Sequence, residues 1–326
     1  MDIRQLAAIV AVADHRTFSA AAAALHTVQS NVSTHVARLE RELGVTLVDR
    51  ARGALTEEGR AVVDRARRIQ AEMDALVADV AAVHSEVEGS VRAGIIGTTA
   101  RWLVPTLIDA LVDIYPGIRA VLVDAPTTSL VPQVLSGQID LAVLALPVDD
   151  ADFAEEVLFE EDLMVIAPVD HPLAAHDRVN LAQLSEHELL LEPPFTSFRD
   201  NLDTQAAAAG VTLRARAEVD GIRLLASLAF EGFGVAVLPA SAHSRISAGG
   251  WKRIEIDGVR GRAVGIIAPR RGLPSAPVRA FRDVLTRVVA ELAPAQPGIR
   301  VGGRRLSTGP GQGSRPTPRR AHHPLS

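Results

Sequence analysis

The sequence predicts an α/β chain in which a winged helix-turn-helix leads, through one long helix, into a two-lobed α/β domain. Three observations predict this. Within the first 44 residues, two short helical patterns are separated only by a tight turn. A stretch without glycine or proline then runs from Arg60 to Glu88 with its apolar residues alternating at steps of four and three. Beyond Gly89-Ser90, strand, polar loop and helix recur in turn, the pattern of an open sheet covered by helices.

The elements follow in order. In residues 3–13 (IRQLAAIVAVA), Leu6, Ile9, Val10 and Ala13 share one helical stripe, a support helix. Thr17-Phe18-Ser19 opens a second helix from Ala20 to Leu25, and His26-Thr27 leaves room only for a tight turn. From Leu25 to Gly44, Val28, Val32, Val36, Leu39 and Leu43 fall on one face. Gln29, Ser30, Ser33, Thr34 and Arg38 take the other sides, His35 lies near the boundary, and Gly44 ends the helix as a left-handed cap. An apolar back with a short-polar front is what a groove-reading helix requires. Gln29 suits the N6 and N7 edge of adenine, while Ser30, Ser33 and Thr34 reach base edges or phosphates. Val45 to Arg50 is strand-like, Ala51-Arg52-Gly53 a turn, and Ala54-Leu55 a return, which together make a wing. Arg38, Arg50 and Arg52 are the expected phosphate or minor-groove contacts.

Thr56 is placed to cap the long helix, with Glu57 and Glu58 complementing its dipole. Val62, Ala66, Ile69, Met73, Leu76, Val80, Val83 and Val87 form a narrow heptad seam suited to pairing with a second copy. The next units are a strand from Val91 to Ile96 with a helix from Arg101 to Ile114, then a strand from Arg119 to Asp124 with a helix ending at Leu135. Ile139 to Leu146 reads as a buried parallel strand. The segments ending Ile166-Ala167-Pro168 and Ile267-Ala268-Pro269 echo each other. They are expected to be the paired crossings between the lobes, with a last helix from Leu273 to Leu292. Thr98, Thr99, Thr127, Thr128 and Ser129 lie where strands give way to helices, and Phe195, Thr196, Ser197 and Arg199 form the matching loop of the second lobe. Converging hydroxyls and free helix N–H groups favour a small anion such as a carboxylate, with Arg199 as counter-ion and Phe195 as an apolar wall.

The strings carry a family resemblance. Ala20 to Leu25, then HTVQSNVS, LERELG, VTLVDR and LTEEG, resemble the N-terminal domain of the LysR-type transcriptional regulators. YPGI, SGQIDLAV, HPLA and GFGVAVLP resemble landmarks of that family's periplasmic-binding-protein-like effector domain, so the likeness spans residues 1–292. It implies residues 1–59 as the DNA-binding domain and 60–89 as the dimerisation helix, with Val62, Ile69, Met73, Leu76, Val80 and Val83 at the contact. It implies an effector domain at 90–293, with lobe I at 90–166 and 268–293 and lobe II at 167–267. The positions matching Gln29, Ser30, Ser33 and Thr34 face the groove in that family. The implied partners are double-stranded DNA bearing an interrupted palindrome, a small-molecule effector, a second copy in a dimer or tetramer, and RNA polymerase. Many relatives carry Ser where this chain has Val28, and Arg-Gln in place of Thr34-His35. The resemblance therefore transfers no target sequence.

Composition narrows the alternatives. There is no cysteine, hence no disulfide framework, thiolate metal site or cysteine nucleophile. The net charge is −5, and residues 1–60 hold seven Arg against seven acids, so DNA contact must rest on local clustering. His171, His176 and His187 show no metal-ligand spacing, and no nucleophile elbow or phosphate loop is present, which argues against an enzyme; no cofactor or metal is expected. The N-terminus lacks the pattern of an export signal, so a cytoplasmic, nucleoid-associated protein is expected and a transport-type binding protein is not. The competing class is a cytoplasmic small-molecule-binding protein with vestigial DNA affinity. Residues 294–326, with six Arg and no acid, are expected to be a disordered basic tail.

Overall fold

The computed structural model describes residues 1–49, 53–84, 87–148, 150–242 and 250–301. Its first unit packs α1 (Ile3–His15), α2 (Phe18–Ala24) and α3 (Gln29–Leu43) around one small core. A two-stranded wing follows, β1 (Val48–Asp49) antiparallel to β2 (Ala54–Leu55). Val32, Val36 and Leu39 of α3 are buried against Leu6, Ile9, Ala21 and Ala22, as their spacing requires. The apolar face ends sooner than expected. Leu43 is largely exposed, and Val28 lies outside the helix as its N-cap. Gly44, at φ +71°, takes the left-handed C-cap.

The long helix α4 (Glu57–His84) starts where Thr56 Oγ1 accepts from the Gly59 N–H at 2.9 Å. Its first turns belong to the winged unit: Val63 and Ala66 are buried there and Val62 packs against them. Val62 and Ala66 therefore leave the expected dimer seam, because their own core covers them.

Two six-stranded sheets follow. The first lobe contains β3 (Gly89–Ile95), α5 (Gly97–Ile114), β4 (Ile118–Asp124), α6 (Thr127–Leu135), β5 (Leu141–Leu146) and β6 (Phe153–Glu161). The chain then enters the second lobe with β7 (Leu163–Pro168), β8 (Arg178–Asn180), α7 (Leu181–Ser185), β9 (Glu188–Leu191) and α8 (Ser197–Ala208). β10 (Arg214–Glu218), α9 (Ile222–Phe230), β11 (Val235–Pro239) and β12 (Trp251–Asp257) complete that lobe. β13 (Arg262–Pro269), α10 (Ala276–Leu292) and β14 (Ile299–Arg300) return to the first. The sheet orders are β14-β6-β13-β5-β3-β4 and β10-β9-β11-β7-β12-β8.

Two expectations need correction here. The Ile-Ala-Pro strands do not pair: β7 lies between β11 and β12 in the second sheet, and β13 between β6 and β5 in the first. The crossings fall instead at Asp162 and between Asp257 and Arg262, so 163–166 belongs with the second sheet and 262–267 with the first. The tail also begins later than Pro294, because Ile299 and Arg300 pair with Glu161 and Glu160, and Arg300 bonds Asp162 at 2.7 Å. Residues 302–326 lie outside the described residues.

The period-2 alternation of a strand decides how the lobes meet. Met164, Ile166, Ala236 and Leu238 point into the first lobe's core, while Leu163, Val165, Val235 and Val237 build a separate core behind them. α9 contributes Leu225, Ala226 and Ala229 to the shared core. The lobes thus meet through packed side chains as well as through their crossings. Among the described residues no helix is long and apolar enough to cross a membrane.

Candidate functional site

With its apolar back buried, α3 turns Gln29, Ser30, Thr34 and Arg38 to solvent, with Ser33 half-buried beside them. These are short or forked side chains on one rigid helix, as groove entry requires. Thr34 Oγ1 donates to the Ser30 carbonyl at 2.8 Å, leaving its oxygen free to accept. Asn31 Nδ2 donates to Thr27 Oγ1 at 2.9 Å and so ties the turn to the helix. Glu40 fixes the wing to α3, accepting the Leu47 and Val48 N–H groups at 2.8 and 3.2 Å. Arg50 and Arg52 lie outside the described residues.

Past the winged unit, α4 shows two faces. One binds the chain's own first lobe. Arg68 Nε donates to the Leu135 carbonyl at 2.8 Å, and Asp79 Oδ1 accepts the Ala276 N–H at 2.8 Å. The other face carries Ile69, Met73, Leu76, Val80 and Val83, all exposed. Leu76 is 66% exposed and Val83 80%, a strip that no other part of the described residues covers.

Between the lobes, Thr98 and Thr99 occupy the first turn of α5 and are buried. Thr98 Oγ1 accepts from Arg262 Nη2 at 3.1 Å, whereas Thr99 Oγ1 is buried with no hydrogen-bond partner. Thr127, Thr128 and Ser129 open α6 on the neighbouring parallel strand, so two helix N-termini face the same sheet edge. In the second lobe Thr196 caps α8, accepting from Arg199 N at 3.4 Å, and Ser197 is exposed.

Arg199 is not the expected free counter-ion. It is buried, its Nε bonds Asp203 at 2.8 Å, its Nη1 donates to the Glu192 carbonyl at 2.8 Å, and Glu218 lies at 3.6 Å. Phe195 is not a wall either. It holds φ +73° and is 90% exposed.

The charged groups that do join the lobes escaped the sequence reading. Glu161, fully buried at the end of β6, accepts from Arg262 Nε at 2.7 Å and from the Ser241 N–H of the second lobe at 2.7 Å. Burial pushes the Glu192 carboxyl above its usual range, against the lowering effect of hydrogen bonds from Thr196 and Gly221 and the charge of Arg262. Arg223 of α9 reaches across to Asp124, at the end of β4, at 2.6 Å. It lies directly over Gly97: a Cβ there would sit 2.6 Å from Arg223 Cδ, so a larger residue would push the arginine aside. Gly97, Asp124 and Arg223 border a recess of about 420 Å³ beside α5. Of the histidines, His171 and His187 stack edge to face, and burial lowers the pKa of His171.

A three-helix unit with a wing, joined by one long helix to a two-lobed α/β domain, is the architecture of a helix-turn-helix transcriptional regulator with an effector-binding domain. The chain belongs to the LysR family of transcriptional regulators. Residues 3–60 match the family model described as the bacterial regulatory helix-turn-helix protein, lysR family, and residues 84–290 match the LysR substrate binding domain. A probable hydrogen peroxide-inducible genes activator of Streptomyces viridosporus is 33% identical over 243 residues, 74% of this chain and 78% of that protein. Full-length OxyR from Pseudomonas aeruginosa, solved as a cysteine-to-aspartate variant, is similar with a TM-score of 0.72 and 26% identity, covering 89% of this chain and 94% of its own. Full-length CbnR complexed with its target DNA gives a TM-score of 0.62 and 26% identity over 88% of this chain and 100% of its own.

Proposed function

We propose that the chain works as a dimeric LysR-type regulator whose α3 reads an interrupted palindrome and whose DNA-bound arrangement is set by a small carboxylate or similar anion between the lobes. The dimer rests on the exposed strip Ile69, Met73, Leu76, Val80 and Val83, whose heptad spacing suits a second copy of α4. Such a dimer presents two reading helices to two half-sites, from which it acts on RNA polymerase as a transcriptional regulator. Gln29, Ser30, Ser33 and Thr34 face base edges, and Arg38 faces phosphate, because the opposite side of α3 is buried.

The observation that carries the ligand reading is Arg223, the half-exposed guanidinium of the second lobe held over the N-terminus of α5 in the first. An anion placed there shares the guanidinium with Asp124, its present partner, beside the N-terminus of α5; unlike Arg199, which is buried among three acceptors, Arg223 is 58% exposed and can turn toward it. The anion also touches both lobes, so it favours one arrangement wherever its contacts differ between the two. Arg223 thus takes the role expected of Arg199. Peroxide-inducible relatives raise the question of peroxide itself. Thiolate oxidation is the principal side-chain chemistry for registering it, and this chain has no cysteine. Bound-ligand control is therefore favoured over thiol oxidation. The test is a thermal-shift and operator-affinity titration with a panel of small carboxylates. One or more should shift wild type, and Arg223→Gln should lose most of that response while its melting temperature stays close. An unchanged response in Arg223→Gln would rule out the anion at this junction.

A further inference from the structure

Val28 has no structural reason to be valine. It is the N-cap of α3, at φ −95° and ψ 151°, a position where Ser, Thr, Asp or Asn bonds the free N–H groups of the first turn. Val28 makes no such bond. Nor does it pack, since it is 60% exposed while Val32, one turn on, is 1% exposed. The missing cap bond costs stability, and among the described residues nothing covers the side chain. The side chain stands next to Gln29 at the leading end of the helix that enters the groove, where N-terminal residues meet base edges.

We infer that Val28 is a specificity-determining residue whose isopropyl group meets the C5-methyl of a thymine in the target DNA. Of the four bases, thymine alone presents an apolar group in the major groove. Adjacent Gln29 is suited to adenine, so the pair Val28-Gln29 is matched to an A·T-containing step of the half-site. Ser, which many relatives carry at this position, would cap the helix and leave the methyl unread. The inference rests on α3 as the reading helix.

The experiment uses the full-length protein and a duplex selected by it from random sequence. Each thymine is replaced in turn by deoxyuridine, which removes only the methyl. Wild type is expected to lose about fourfold in affinity per half-site at one thymine, the worth of one buried methyl group. Val28→Ser is expected to bind the methylated site weaker by a similar factor and to be indifferent to deoxyuridine there. It should melt at the same or a higher temperature, because serine restores the cap. A decoupling of stability from affinity in that direction is something a merely structural valine would not produce. The inference is overturned if no thymine distinguishes the two proteins, or if Val28→Ser weakens selected and random DNA equally, as a contact with another protein segment would. Gln29→Ala separates the two levels. If it leaves sequence discrimination intact, α3 is not the reading helix and both conclusions fall. If discrimination drops while the deoxyuridine scan is flat, only the role of Val28 falls.

Discussion

Removing the guanidinium of Arg262 should destabilise the two-lobed domain more than any other single charge removal at the lobe junction. Glu161 is fully buried and Arg262 is 13% exposed, with Nε and Oε1 2.7 Å apart. Arg262→Met leaves the hydrocarbon stem but strands a carboxylate whose remaining partner among the described residues is the Ser241 N–H. Breaking one side of a buried pair costs about 3–5 kcal/mol. That is a large part of the roughly 5–15 kcal/mol that holds a domain folded. The double variant Glu161→Gln/Arg262→Met strands no charge, and the glutamine oxygen still accepts from Ser241. It should lose only about 1–2 kcal/mol, the scale of one neutral hydrogen bond. Urea unfolding followed by far-UV circular dichroism, with midpoints compared at a common slope, measures both. A single-variant loss below about 1 kcal/mol would show that Glu161 is not stranded by losing Arg262, and a double variant losing the sum of the two single losses would show that the two side chains are not coupled.

Other outcomes follow from the same contacts. Leu76→Asp sets an unpartnered charge in the exposed strip of α4 and should convert dimers to monomers in sedimentation velocity, with operator affinity falling accordingly. Arg199→Ala should lower the melting temperature by several degrees, because Asp203, Glu218 and the Glu192 carbonyl lose their shared partner, yet leave any carboxylate response of the surviving folded protein intact. Glu192 concerns pH. Burial raises its pKa above the ordinary 4.5, so the folded state holds the proton longer than the unfolded one. Stability is therefore unaffected below the ordinary value and is lost progressively as pH rises through the raised one. Glu192→Gln should flatten that decline above about pH 4.5 in a series of thermal melts.

The parts of the fold legible in the sequence are those set by local periodicity. Val32, Val36 and Leu39 announce their buried face, and Ile69 to Val83 announce an apolar strip. Val28 continues that period by four residues and so looks buried, because periodicity does not mark where a helix starts. In the structure His26 turns the chain at φ +52° and the helix starts only at Gln29, so Val28 falls outside the period. The echo of Ile166-Ala167-Pro168 in Ile267-Ala268-Pro269 misleads because strand pairing is non-local, and similar strings assign no partner. For the site, the helix starts at Thr98, Thr127 and Thr196 are legible from strand-to-helix transitions. Arg199 carried a local warning in Asp203, four residues on and thus its neighbour on a helix. No such warning exists for Glu161 with Arg262 or for Asp124 with Arg223, pairs about a hundred residues apart that only the crossing of the lobes brings together.

The most direct test of a reading helix governed by a bound anion is fluorescence anisotropy of the full-length protein on its selected operator. It is titrated separately with hydrogen peroxide and with the carboxylate panel. Peroxide is expected to leave operator affinity unchanged, while at least one carboxylate shifts it in wild type and fails to shift it in Arg223→Gln. A peroxide-dependent change in affinity, with no carboxylate having any effect, would contradict control by a bound anion.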